Sequence, residues 1–159
     1  MGTEIERKFL VIGDGWRAAI ESATPIRQGY LAVGPPTAVR VRIRGDQANL
    51  NVKKSTLDIT RAEFEYPIPL EDACQLLDLC EGFIVEKTRH HVTYGGLLWE
   101  IDVFEGENQG LIVAEVELES ADQPFQKPPW AGKEVSGDPR YLNSHLSRNP
   151  YSQWRVAGD

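Results

Sequence analysis

Like charges recur on alternate residues along much of this chain, and that pattern constrains the fold more than any other feature. Glu4, Glu6 and Lys8 interleave with Ile5 and Phe9, and Arg40, Arg42 and Arg44 interleave with Val39, Val41 and Ile43. Lys53 follows Asn51 by two, Glu63 is paired with Glu65, and Lys87 with Arg89. Glu100 then pairs with Asp102, and Glu115, Glu117 and Glu119 form a triplet. Period-two alternation is the mark of a strand with one apolar and one polar face. Eight strands are predicted, over 4–11, 27–33, 38–45, 48–54, 61–68, 84–93, 98–105 and 112–119.

Turn residues separate several of them: Gly34-Pro35-Pro36, Gly45-Asp46, Gly95-Gly96 and Gly106-Glu107-Asn108. Apolar residues at helical spacing predict helices over 14–23 (N-capped by Asp14), 70–81 (stopped by Gly82) and 138–148. Pro124, Pro128 and Pro129 make 120–137 an extended loop. No linker, large repeat or low-complexity tract divides residues 1–159, which read as one domain.

A solvated sheet face accounts for any one of these strands. It accounts poorly for the set. Residues two apart on a strand lie about 6.6 Å from each other, two rises of about 3.3 Å. Like charges at that spacing repel unless opposite charge sits between them. The Glu-x-Glu pairs therefore want cations, and the Arg-x-Arg and Lys-x-Arg pairs want anions. A polyphosphate with a divalent metal satisfies both, because carboxylates bind Mg²⁺ or Mn²⁺ through oxygen and arginine forks grip phosphate. The predicted fold class is mainly β (α+β). Many strands at short spacing suggest a β-sandwich or a closed barrel, and a barrel closed with its charged face inward makes a polar tunnel whose apolar outside a few helices cover.

Composition excludes other classes. The chain carries 24 acidic and 17 basic residues, a net charge of −7, which disfavours general nucleic-acid binding on the outer surface. No apolar stretch is long enough for a membrane span, and the charged N-terminus does not suit a signal peptide, so a cytoplasmic location is expected. Cys74 and Cys80 read as reduced thiols on a helix, and His90, His91 and His145 form no metal-ligand pattern. His91 shares the parity of Lys87 and Arg89 and is expected at the rim. Tyr30 either closes over the site or is an ordinary packed tyrosine. Trp99, Trp130 and Trp154 read as packing residues.

The opening Glu4-Ile5-Glu6-Arg7-Lys8 matches the Glu-x-Glu-x-Lys signature of the CYTH, or triphosphate tunnel metalloenzyme, family. The other charged pairs follow in family order, and the tail Asp138-Pro139-Arg140-Tyr141-Leu142-Asn143 is similar to the family's C-terminal helical segment. The chain resembles the compact bacterial members over nearly its whole length. The resemblance implies an eight-stranded antiparallel closed barrel, a tunnel that hydrolyses or rearranges triphosphates with Mg²⁺ or Mn²⁺, two ions being expected. It implies that Glu4, Glu6, Glu115 and Glu117 hold metal, with Asp102 helping at a second ion. It gives the triphosphate to Lys8, Arg40, Arg42, Lys53, Lys87 and Arg89, and the orienting of bases or a water to Glu63 and Glu65. The catalytic set expected is thus Lys8, Glu63, Glu65 and Lys87. Arg44 is expected on the right face at the tunnel rim, Arg140 is expected to close one end, and a homodimer is left open.

The first functional expectation is metal-assisted hydrolysis of inorganic tripolyphosphate, because so compact a chain leaves little room to recognise a nucleoside. A class IV adenylyl cyclase or another nucleotide or thiamine triphosphate enzyme of the family is the alternative. A non-catalytic polyphosphate-binding module is the third reading, and the size of the acidic set argues against it.

Overall fold

Residues 2–34, 36–54 and 59–154 are described by the computed structural model. The turn expected at Gly34-Pro35-Pro36 falls partly outside them, at Pro35. Nine strands form one antiparallel sheet. They are β1 (Gly2–Val11), β2 (Ser22–Ala32), β3 (Thr37–Arg44), β4 (Gln47–Lys54), β5 (Thr60–Ile68), β6 (Glu81–Tyr94), β7 (Leu97–Glu105), β8 (Ile112–Glu117) and β9 (Ala131–Glu134). Their order is β5-β4-β3-β2-β6-β7-β8-β1-β9. Two helices accompany them, α1 (Leu70–Leu77) and α2 (Asn143–Leu146).

This corrects the expected eight-stranded closed barrel. The ninth strand, β9, lies in the segment read as loop, where four residues are too few to show a period. Its backbone nevertheless pairs with β1, and Val135 N–H donates to the Lys8 carbonyl at 2.8 Å. One edge of β1 carries β8. The other is shared: residues 2–5 pair with 60–63 of β5, and the following part of the strand pairs with β9. The sheet therefore curls back towards its first strand without closing as a barrel along its height.

Two further expectations are corrected. The helix over 14–23 is only a 3₁₀ turn at Gly15–Ala19, and Asp14 makes no side-chain cap. From Ser22 the chain is strand, in register with His91 of β6. Pairing to a fourteen-residue partner overrides the weak helical spacing. The helix over 138–148 breaks into a 3₁₀ turn at Pro139–Tyr141 and the single turn of α2. The helix over 70–81 is present but shorter.

The outer face of the sheet is apolar, as predicted. Ala73, Leu76 and Leu77 of α1 pack on Val41, Ile43, Ala48 and Leu50. On the opposite flank Phe9, Trp99, Ile101 and Val116 are covered by Trp16 and by Phe125 and Trp130 of the proline-rich segment. Trp99 and Trp130 meet edge to face, with centroids 5.4 Å apart.

The inner face is charged only part of the way. Leu10, Val85, Phe104 and Val113 have the parity of Lys8, Lys87, Asp102 and Glu115, and they cluster with Val135, Tyr141 and Leu146. One end of the expected tunnel is thus filled by an apolar plug that the C-terminal segment seals. The seal depends on Gly82, whose φ is +74° and whose missing Cβ would lie against the Ser147 carbonyl. Phe83 N–H donates to that same carbonyl at 2.6 Å. Gly82→Ala should cost about 1–3 kcal/mol from the left-handed backbone and the close approach together. The melting temperature would check this, and an unchanged value would refute the seal.

Candidate functional site

The charged inner faces enclose a cavity of about 180 Å³. Of the residues singled out from the sequence, Glu4, Glu6, Glu63, Glu115 and Glu117 line it on the acidic side. Arg40, Arg42, Lys53, Lys87 and Arg89 line it on the basic side, with Arg44 and Glu100. Lys8 lines a smaller adjoining cavity of about 30 Å³, which it shares with Glu6, Tyr30, Arg40 and Lys53. The strands converge these residues by register: Glu6 stands opposite Glu117, Lys8 opposite Glu115, and Arg89 opposite Asp102.

Two predicted site residues stand apart. Asp102, expected to help a metal ion, is 1% exposed and lies beneath the cavity. Its carboxylate accepts from Arg89 Nε at 2.8 Å and Nη2 at 2.9 Å, and pairs with Lys87 Nζ at 2.7 Å. Glu65 accepts from Asn51 Nδ2 at 3.0 Å and comes no closer than 4.0 Å to Arg42 Nη2. Arg140 is exposed, pairs with Asp138 at 2.8 Å and stacks over Tyr141 and Trp154, so it closes no end of the cavity. His91 is at the rim as expected, its Nε2 3.3 Å from Glu100. Tyr30 is buried and faces the smaller cavity. Trp99 and Trp130 are packing residues, and Trp154 packs on Tyr141.

Electrostatically, each side of the cavity is crowded by its own sign. Burial, followed by the charges of Glu115 and Glu4, pushes Glu6 up to about 8. Burial also acts on Glu115, but Lys8, Arg89 and a hydrogen bond from Glu6 hold it well below the ordinary carboxylate range. Glu117 is raised by burial and by Glu4, Glu100 and Glu63. Among the cations, burial and then Arg40 and Arg89 bring Arg42 down to about 10. Burial brings Lys87 down to about 8 against the pull of Asp102. Lys53 bridges the two sides, 3.3 Å from Glu4 and 3.0 Å from Glu63, and it keeps Glu63 low despite burial. An anion among the bases and a cation among the acids would relieve both kinds of crowding.

Buried polar atoms support the same reading. Arg40 Nε, Arg42 Nε, Asn51 Oδ1 and both amide atoms of Gln28 have no hydrogen-bond partner among the described residues. Such groups are costly to leave unpaired. Gln28 and Asn51 were missed in the sequence because they are uncharged. Their parity with Tyr30 and Lys53 was the available signal. Among the described residues, no three His, Cys, Asp or Glu side chains stand ready-assembled about a common metal position. No helix among them is long and apolar enough to cross a membrane.

Fold and site together define a class: a curled antiparallel sheet whose interior sets a group of basic side chains beside a carboxylate array. The CYTH domain model matches residues 2–144, and the chain belongs to that family. It is 45% identical to an inorganic triphosphatase of Acetivibrio thermocellus, over 98% of this chain and 99% of that protein. It is 41% identical to an inorganic triphosphatase of Nitrosomonas europaea, over 91% of this chain and 97% of that one. The crystal structure of the inorganic triphosphatase NE1496 superimposes with a TM-score of 0.66 at 40% identity, covering 92% of this chain and 95% of that structure.

Proposed function

We propose that the protein is a divalent-metal-dependent triphosphatase that hydrolyses inorganic tripolyphosphate to pyrophosphate and phosphate within the charged cavity. The observation that carries the inorganic substrate is the lining itself. Among the described residues, every one around the 180 Å³ cavity is charged except Asn143, so none of them offers an apolar or aromatic surface to a purine. The two relatives named above are themselves inorganic triphosphatases, which supports the same reading.

Arg40, Arg42, Lys53, Lys87 and Arg89, with Lys8, bind the phosphate chain and neutralise charge as it develops on the departing pyrophosphate. Neighbouring carboxylates preorganise these bases. Asp102 fixes Lys87 and Arg89, and Glu63 fixes Lys53. Glu65 acts more remotely, through Asn51. Asp102 is accordingly assigned an anchoring role here rather than a metal-binding one.

The donor set of Glu4, Glu6, Glu115 and Glu117 fits Mg²⁺ or Mn²⁺. All its ligating atoms are carboxylate oxygens, and burial, followed by the charges of Glu115 and Glu4, leaves Glu6 holding a proton near neutral pH. When bound, such an ion supplies Lewis-acid stabilisation of phosphoryl oxygens and a more acidic water. No Ser-His-Asp or Cys-His arrangement is needed, because positioning and charge carry this chemistry.

Purified protein supplied with Mg²⁺ or Mn²⁺ and with tripolyphosphate, ATP or thiamine triphosphate should release phosphate and pyrophosphate fastest from tripolyphosphate. Cyclic AMP as the main product from ATP would replace this reading with a cyclase. No turnover of any of the three would leave a binding module.

A further inference from the structure

The one uncharged residue of the cavity wall is contributed by the C-terminal segment, not by the sheet. Asn143 lines both the large charged cavity and the small one that holds Lys8 and Tyr30. The Lys87 ammonium donates to its Oδ1 at 3.4 Å, and the adjacent Tyr141 carbonyl accepts from Lys8 Nζ at 3.0 Å. The segment is held firmly. Leu146 is fully buried, Ser147 N–H donates to the Asn143 carbonyl at 3.0 Å, and the Ser147 carbonyl binds Phe83 of β6.

A lysine has three donors and no acceptor, so the amide oxygen must be the atom that faces it. The orientation of the Asn143 carboxamide is therefore set by Lys87 rather than left open. With its oxygen on the ammonium, its NH₂ group is directed away from Lys87, on a side chain that lines both cavities. A neutral donor there suits a phosphate oxygen: it adds a hydrogen bond without adding charge to an already crowded basic wall.

We propose that Asn143 is a substrate-positioning residue, its amide oxygen steadying Lys87 while its amide N–H groups bind a phosphate oxygen of the triphosphate. The C-terminal segment is then part of the binding site and not only the plug at its end. This inference rests on the triphosphatase reading above.

Two substitutions separate the roles. Asn143→Asp keeps an acceptor for Lys87 but replaces the donor with a negative charge. Asn143→Ala removes both. Tripolyphosphate binding to the metal-free full-length protein would be followed by titration calorimetry, and KM and kcat would be measured with Mg²⁺. The alanine variant should bind roughly tenfold more weakly, the worth of one hydrogen bond to a charged group. The aspartate variant should bind more weakly still, with the loss in KM exceeding that in kcat. An aspartate variant that equals or exceeds the native protein, or both variants within twofold of it, would overturn the inference. Melting temperatures guard against a folding defect, and Asn143→Ser replaces the alanine if that variant does not fold. Failure of the native protein to bind or cleave tripolyphosphate would instead defeat the triphosphatase reading.

Discussion

Asp102→Asn should lower the melting temperature by roughly 10 °C and remove most triphosphatase activity. The carboxylate is 1% exposed, and the ammonium of Lys87 and the guanidinium of Arg89 are buried beside it. Burial alone would raise its pKa, but Arg89 and Lys87 outweigh burial and hold it low. Removing one partner of a buried ionic cluster leaves uncompensated charge and costs about 3–5 kcal/mol. For a chain of this size each kcal/mol moves the melting temperature by about 2–4 °C. The sign with pH follows from the depressed pKa. The stabilisation is present above the ordinary aspartate pKa near 3.8 and is lost as pH falls through the folded value. The native protein should thus lose stability in acid along a branch that the asparagine variant lacks. Circular dichroism melts at several pH values would test this. A shift under about 2 °C at pH 7 would mean that Lys87 and Arg89 do not depend on this anchor.

The same residue shows where a sequence stops being readable. Glu100 and Asp102 share a face with period two, and that much is visible in the chain. Which of the two reaches the cavity depends on the level across the sheet. Asp102 stands opposite Arg89 and Val113, beside the apolar plug, whereas Glu100 stands opposite His91 and Glu115 near the rim. Charge parity located the inner face of β1, β3, β6 and β8 and gathered most of the cavity wall from sequence alone. It could not tell depth, so Val85, Phe104 and Val113 escaped notice although each has the parity of a charged neighbour. Nor could it find uncharged contributors. Gln28 and Asn51 sit on the right faces of β2 and β4, and Asn143 enters from a segment with no strand pattern at all. β9 was lost for another reason: its four residues are held by β1 and not by any periodicity of their own.

Glu6→Gln should separate stability from activity in the opposite way to Asp102→Asn. Glu6 is pushed up to about 8 by burial and by the neighbouring Glu115 and Glu4. In the metal-free protein at pH 7 it is therefore mostly protonated, and glutamine is its near isostere. Stability at that pH should rise, because the unfolded native chain has already lost the proton that the folded chain must hold, and the variant bears no such cost. For a carboxyl whose folded pKa is raised, the stabilising contribution is complete below the unfolded value near 4.5 and is lost as pH rises towards about 8. The native chain should consequently lose stability over that window relative to the variant, which has no proton there to lose. Activity should behave differently under the proposed metal role of Glu6, because a carboxyl that must deprotonate to bind metal is not matched by a neutral amide. Altering groups that merely orient metal ligands costs about 10–100-fold, so loss of a direct ligand should cost at least ~100-fold in turnover. Two measurements decide the matter: melting temperature against pH without metal, and phosphate release with Mn²⁺. Calorimetry in buffers of different ionisation enthalpy adds a third, since Mn²⁺ binding at pH 7 should expel a proton from the native protein and not from the variant. Full activity in the glutamine variant would remove Glu6 from the metal set. An unchanged pH slope would mean that the carboxylates do not crowd one another, and the case for a cation among them would lose its physical basis.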